Sequence, residues 1–185
     1  MIAAAIVILW LVWIVVWIAM ARGVKSVAER AKGSRAHYLP MAVAVVLLAA
    51  PRLPLFPLDV RFVPAALWPA ALGLALTFAG LAFAFWARAR LADNWSSSVT
   101  LKRDHELIDD GPYRWVRHPI YTGLLVALAG AALAVGEWRG VIAVALAAVA
   151  LWRKLRLEEA VMRRQFGDTY DRYAARTRAL IPFVL

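Results

Sequence analysis

The chain has 185 residues, 63% of them hydrophobic, with a mean hydropathy of +0.66 and a formal net charge of +10. That is more apolar side chain than one soluble core of this size can hide, so lipid must cover the remainder and a soluble globular domain is excluded. Without such a domain the positive charge does not describe a nucleic-acid surface, and with no cysteine there is no disulfide framework, thiolate metal site or cysteine nucleophile.

A helix needs about 20 apolar residues to cross the roughly 30 Å hydrocarbon layer. Residues 1 to 21 carry no charged side chain. Ala19 and Ala21 mimic a signal cleavage site, but a signal peptide has its basic residues before the apolar run, and here they come after it, so the segment counts as the first membrane helix, near 2 to 21. The second is placed near 38 to 56. Its clean run, Leu39 to Ala50, is only about 18 Å long, and Pro51, Pro54 and Pro57 interrupt the remainder of the segment. The third lies near 64 to 87, the fourth near 119 to 136 and the fifth near 138 to 157, bounded by charge or by Pro and Gly.

Of the 22 Lys and Arg residues, five fall between Arg22 and Arg35, six between Arg88 and Arg117 and eight between Arg153 and Arg178. Basic residues gather in cytoplasmic loops. If the three blocks share one side, the N-terminus is outside, the C-terminus is inside and the number of crossings is odd. The expected fold is an all-α integral membrane protein of about five transmembrane helices, forming one membrane domain. Two helices occupy 1 to 63 and a catalytic core occupies 64 to 185.

Trp68, Trp86, Trp138 and Trp152 fall near helix ends, as headgroup anchors do, and Trp10, Trp13 and Trp17 share one face of the first helix. Small residues recur at helical spacing in the third helix (Gly73, Thr77, Gly80, Ala84), the fourth (Gly123, Ala127, Ala131, Ala134) and the fifth (Gly140, Ala143, Ala147, Ala150). Such stripes let helices approach closely in lipid. Helices three to five are therefore expected to form a tight bundle, the last two joined as a hairpin through Gly136 to Gly140. Residues 157 to 175 read as amphipathic segments at the inner interface.

The polar connection from Arg88 to Arg117 is the longest, and long loops usually carry function. It leads into "DHELIDDGPYRWVRHPIYTG", residues 104 to 123. Gly111 and Pro112 make a turn, Pro119 suits a first helical position, and His118 and Tyr121 share one helix face. On the other hairpin arm, Glu158 and Glu159 emerge close to His118. They either pair with Arg153, Arg156 or Arg163 along their own helix or join imidazole, guanidinium and phenol in one inner-face cleft.

The segment "NWSSSVTLKRDHELIDDGPYRWVRHPIYTGLL", residues 94 to 125, with "EEAVMRRQFGDTYDRYAARTRALIPFVL", residues 158 to 185, resembles the isoprenylcysteine carboxyl methyltransferase family and its phospholipid methyltransferase relatives. An Arg-His-Pro box followed by a Glu-Glu box and a Phe-Gly-x-x-Tyr-x-x-Tyr tail carries the resemblance. It implies a membrane methyltransferase whose cofactor, S-adenosylmethionine, lies between the last two membrane helices and the cytoplasmic segments beside them. Carried onto this chain, His118, Tyr121 and Glu159, with Leu107, Gly111, Tyr113 and Glu158 around them, look like the cofactor pocket. Arg117, Asn94, Trp95 and Arg153 are candidates for orienting the acceptor. The implied setting is a prokaryotic inner membrane with the site facing the cytoplasm.

The acceptor is open at this point. An isoprenylcysteine-type carboxylate is already ionised and needs no general base, so positioning and dehydration do the work. A lipid amine must first lose a proton, to His118 or a Glu, and a thiol is a third choice. A membrane reductase is disfavoured by the short chain. Clustered-histidine metal chemistry is disfavoured by having only His37, His105 and His118. A lipid-binding scaffold would not need the paired boxes.

Overall fold

The computed structural model describes residues 1–21, 27–30, 37–50, 54–92, 100–102 and 107–181, with the backbone alone described at 27–30 and 100–102. Six helices dominate: α1 (Ile2–Met20), α2 (Tyr38–Ala49), α3 (Leu67–Leu91), α4 (Pro119–Val135), α5 (Trp138–Phe166) and α6 (Asp168–Arg176). Besides them, two short strands, β1 (Val27–Arg30) and β2 (Thr100–Lys102), pair antiparallel. This ribbon, which the apolar periodicity did not announce, ties together the two polar connections.

Two helices among the described residues, Ile2–Met20 and Leu67–Leu91, are long and apolar enough to cross a membrane, while Tyr38–Ala49 and Pro119–Val135 are shorter apolar helices. In α1 only Ile6 is buried, and Val7, Ile8, Leu11, Val12, Val15 and Ile18 are exposed. A surface of that kind is covered by hydrocarbon in a stable protein. Trp68, Trp86 and Trp138 are exposed near helix ends; Trp152, also exposed, lies instead at the middle of α5, because that helix runs on past 157 to Phe166, and Trp10 and Trp17 on α1 pack against the buried core.

Helix ends depart from expectation where proline, glycine and charge compete. α2 stops at Ala49 and not near 56, because Ala50, which precedes Pro51, adopts an extended conformation with ψ 123°. α3 begins at Leu67, after an extended Ala66, and runs on to Leu91. α5 does not end near 157 but continues to Phe166, giving 29 residues and a length of about 44 Å. That exceeds the roughly 30 Å thickness of a hydrocarbon layer, and the turns bearing Glu158 and Glu159 lie in its C-terminal, charged half. The amphipathic stretch 157 to 175 is thereby divided between α5 and α6 at Gly167.

α3 and α4 touch through backbone. A Cβ added at Gly80 would lie 2.5 Å from both Ala127 N and Gly123 O, and one at Gly73 would lie 2.5 Å from Gly130 O. Thr77 Oγ1, fully buried in this seam, donates to Gly73 O at 2.8 Å. α5 lies on α4 beside the turn, where a Cβ at Gly140 would meet Ala132 at 3.0 Å, and its Ala143 and Ala147 pack with Ala44 of α2 and Leu128 of α4. The α3–α4 and α4–α5 pairs of the expected bundle are present, but α5 turns its small-residue stripe to α2 and α4 and scarcely meets α3. Gly80→Ala is expected to push α3 from α4 and cost about 1–3 kcal/mol, read as a lowered midpoint of unfolding in detergent; an unchanged midpoint would show that the seam yields freely.

Two buried clusters form the interior. Ala44, Leu128, Ala143 and Ala147 join α2, α4 and α5 in the middle of the bundle. Ala87, Tyr113, Ile120, Tyr121, Leu151, Leu155, Ala179 and Leu180 form the floor under the functional residues.

Candidate functional site

The Arg-His-Pro box folds as a turn and then a helix start. Residues Gly111–Arg114 make one 3-10 turn, opened by Gly111 at φ +56°, and Pro119 occupies the first turn of α4 with His118 as its N-cap. A strand-like C-terminal strap locks this entry. Arg117 N donates to Arg178 O at 2.7 Å, His118 N to Ala179 O at 3.0 Å and Thr122 Oγ1 to Leu180 O at 2.6 Å.

α4 and α5 are joined at Gly136, which caps α4 in the left-handed conformation at φ 71°. The hairpin brings the far end of α5 back beside the start of α4. There the His118 imidazole lies between two carboxylates. Its Nε2 is 3.4 Å from Glu159 Oε1 and its Nδ1 is 3.5 Å from Glu158 Oε2. Tyr121 Oη donates to Glu158 Oε1 at 2.6 Å. The His118 and Tyr121 rings lie nearly parallel, 3° between planes and 5.5 Å between centroids.

Glu159 is buried, and Arg117 Nε donates to its Oε1 at 2.7 Å. The remaining Arg117 hydrogen bonds run from Nη1 to Ala174 O at 3.2 Å and Thr177 O at 2.6 Å, at the end of α6. Arg163, one turn along α5, places Nη2 3.6 Å from Glu159 Oε2.

The charges hold one another in place. Burial alone would push the Glu159 carboxyl up, but His118 and Arg117 outweigh it and hold it down to about 2. Glu158 is likewise lowered, burial being overcome by His118, Lys154 and Tyr121. For His118, burial pulls the imidazole down, yet hydrogen bonds and charge from Glu158 and Glu159 raise it above 6.5. The pair of carboxylates therefore favours an imidazolium.

Of the residues singled out from sequence, His118, Tyr121, Glu158, Glu159 and Arg117 come together. Tyr113 lies in the floor cluster, its hydroxyl donating to Ala87 O at 3.3 Å and its carbonyl accepting from Tyr173 Oη at 2.7 Å. Gly111 lies against the Arg90 side chain, and Leu107 is half-buried ahead of the turn. Arg153 is exposed and joins no hydrogen bond or ion pair of the described residues, so it does not reach the cluster. Asn94, Trp95 and His105 lie outside the described residues. No group of three His, Cys, Asp or Glu able to hold a metal occurs among the described residues.

Two contributors escaped the sequence reading. Lys154 lies four residues before Glu158, 3.9 Å from its Oε1, a spacing that helical periodicity could have flagged. The strap at 177–180 had no signal, because its contacts with residues 117 and 118 are made by backbone.

The Phospholipid methyltransferase family model matches residues 68–169, which hold α3, the polar connection, α4, α5 and the cluster. A protein-S-isoprenylcysteine O-methyltransferase of Schizosaccharomyces pombe is 31% identical over 104 residues, covering 53% of this chain and 43% of that one. Protein-S-isoprenylcysteine O-methyltransferase B of Arabidopsis thaliana is 28% identical over 123 residues, covering 63% of this chain and 61% of that one. The chain spans about half the length of the curated relatives it matches. Among solved structures, a eukaryotic intramembrane Ras methyltransferase, an isoprenylcysteine carboxyl methyltransferase, superposes with a TM-score of 0.58 at 22% identity, covering 83% of this chain and 55% of that one. That likeness is one of fold. Because the matched stretch takes in more than half of the chain together with both boxes, the chain belongs to the phospholipid methyltransferase family.

Proposed function

We propose that this chain is a membrane methyltransferase that transfers a methyl group from S-adenosylmethionine to an isoprenylcysteine-type carboxylate at the cytoplasmic membrane face. The observation that carries the reading is the imidazole of His118 held between Glu158 and Glu159 from opposite arms of the α4–α5 hairpin. The names of the curated relatives support the acceptor class. The site faces the cytoplasm in a protein of five crossings, N-terminus outside, a topology supported by the three basic blocks of the sequence.

The residues present fit such a donor. Glu158 and Glu159 offer carboxylate oxygens to an ammonium and to ribose hydroxyls, His118 offers N–H to a carboxylate, and Tyr121, Ile120, Leu151 and Leu155 supply apolar walls. When bound, the cofactor supplies a methyl activated by a positive sulfonium. The chain's own part is to collect both reactants and to exclude water, since dehydrating a carboxylate next to a cationic methyl donor removes the hydration that slows attack.

His118 also bears on the acceptor. An amine acceptor would have to shed a proton, and an imidazole already pushed toward its charged form by two carboxylates is a poor base. A carboxylate makes no such demand. The amine reading, which the family description favours, would need a different base.

Calorimetric titration of the detergent-solubilised protein with S-adenosylhomocysteine tests the pocket. Wild type is expected to bind, and His118→Ala and Glu158→Gln to bind about tenfold or more weakly with helical content retained by circular dichroism. No binding by wild type, or equal affinity in both variants, rules the pocket out. Transfer of labelled methyl to N-acetyl-S-farnesylcysteine, and its absence with an amine phospholipid, tests the acceptor.

A further inference from the structure

At the end of the bundle remote from His118, residues 54–66 lie across the α4–α5 turn before leading into α3. Three backbone bonds fasten the segment there: Arg139 N donates to Leu58 O at 2.9 Å, Trp138 N to Val60 O at 3.1 Å and Phe62 N to Gly136 O at 2.9 Å. Arg61 folds back on the same turn. Its Nη1 donates to Val135 O at 3.1 Å and its Nε to Val63 O at 3.2 Å, and a Cβ at Gly136 would stand 2.5 Å from its Nη2. Arg139, in the first turn of α5, donates from Nη1 to Leu47 O and Ala50 O at the end of α2. Two guanidinium groups thus supply carbonyls that water supplies in an ordinary surface turn.

The surface left outside these bonds is apolar. Phe56 is 86% exposed, and Leu55, Phe62, Leu67, Trp68 and Trp138 are exposed with it. The only charges in the segment are Asp59 and Arg61, and the nearby Glu137 carboxylate is paired with Arg139. Leu67 and Trp68 open α3, one of the two helices long and apolar enough to cross a membrane, so the exposed face of 54–66 continues a surface that lipid covers. Helix lengths point the same way. α2 has 12 residues and α4 has 17, about 18 and 26 Å, and both stop beside this segment short of a layer roughly 30 Å thick.

We infer that residues 54–66 form a cap seated in the lipid leaflet remote from the cluster, with Leu55, Phe56 and Leu67 against acyl chains and Asp59 at the headgroups. The inference draws on the membrane setting and is independent of the acceptor and the cofactor. Irregular backbone is costly beside hydrocarbon unless its polar groups are bonded within the protein, and the bonds of Leu58, Val60, Phe62, Val63 and Val135 meet that condition. Asp59 is exposed and sets the depth, because a carboxylate in the hydrocarbon is expensive. The cap therefore lies at the boundary between headgroups and chains, where the indoles of Trp68 and Trp138 are also at home.

The chain has no cysteine, so single cysteines introduced by substitution carry a nitroxide without background. The protein in phosphatidylcholine–phosphatidylglycerol vesicles is labelled at Phe56→Cys, Leu67→Cys and Asp59→Cys. Val12→Cys, on the exposed face of α1, and Asp168→Cys, exposed on α6, serve as references. Collision with oxygen, which concentrates among acyl chains, is compared with collision with a water-soluble nickel chelate. The oxygen-to-nickel ratio is expected to be about threefold or more higher at Phe56→Cys and Leu67→Cys than at Asp168→Cys, with Asp59→Cys near the Asp168→Cys value. Nickel-dominated collision at Phe56→Cys and Leu67→Cys places the segment in water and overturns the inference. Low collision with both reagents overturns it too, because protein then covers the face, and oxygen-dominated collision at Asp59→Cys overturns the seating at the boundary. If Val12→Cys is itself nickel-dominated, the membrane setting fails together with the cap; if Val12→Cys is oxygen-dominated and Phe56→Cys is not, only the cap fails.

Discussion

Glu159→Ala is expected to destabilise the protein by about 3–5 kcal/mol, the cost of breaking a buried ion pair from one side. The Arg117 and Glu159 side chains are 13% and 7% exposed, so alanine would leave a guanidinium desolvated beside His118 with no anion against Nε. Arg117 also holds the carbonyls of Ala174 and Thr177, so its release should loosen α6 and the strap beyond it. Glu159→Gln keeps an acceptor oxygen and should cost clearly less. The pH dependence has a definite sign. With the folded carboxyl held to about 2, against an ordinary value of 4.5, the contribution of Glu159 is complete above the ordinary value and is lost as pH falls through it toward about 2. His118 behaves in the opposite sense. Its raised pKa adds stability below 6.5 that disappears as pH rises through the folded value. Unfolding in detergent at pH 7 and again near pH 3 should show the gap between wild type and Glu159→Ala shrinking on acidification; an equal gap at both would mean that the carboxylate charge contributes nothing.

The meeting of the two boxes was legible because two regular features determine it. Gly136 supports a tight reversal, and the stripe Gly140, Ala143, Ala147, Ala150 sets the phase of α5 against its neighbours. Continued by helical steps, that stripe passes through Leu151 and Leu155 to Glu159, all buried. The same phase separates Lys154 from Arg153. Adjacent residues on a helix point about 100° apart, so Arg153, the candidate carried over from the resemblance, is exposed while Lys154 beside it reaches Glu158. The identity of the partners of Arg117 was not legible, because two of them are backbone carbonyls at the end of α6, and no side-chain pattern specifies a carbonyl. The end of α2 was missed for a related reason. Hydropathy continues past Ala49, but the residue preceding a proline resists helical geometry whatever its polarity, and the carbonyls left there are satisfied by an arginine remote in sequence.

That arginine is Arg139, and Arg139→Met is the second substitution expected to cost about 3–5 kcal/mol. Its side chain is 5% exposed, with Nε 2.6 Å from Glu137 Oε2 and Nη1 donating to Leu47 O at 3.0 Å and Ala50 O at 2.5 Å. The final carbonyls of a helix have no partner within it, and in an apolar surrounding each unsatisfied group costs free energy that water cannot return. Methionine fills the volume but donates nothing, so the end of α2 and the Glu137 carboxylate lose their partner together. The double variant Glu137→Gln/Arg139→Met separates the two losses: it removes the stranded charge and should recover part of the stability, the remainder measuring the carbonyls. Because Arg139 and Glu158 are 19 residues apart on α5, about 28 Å, cofactor affinity of the folded fraction should stay that of wild type while the unfolding midpoint drops. If affinity fell in step with stability, the two ends of the bundle would be coupled, and α2 would have to be counted among the elements that shape the site.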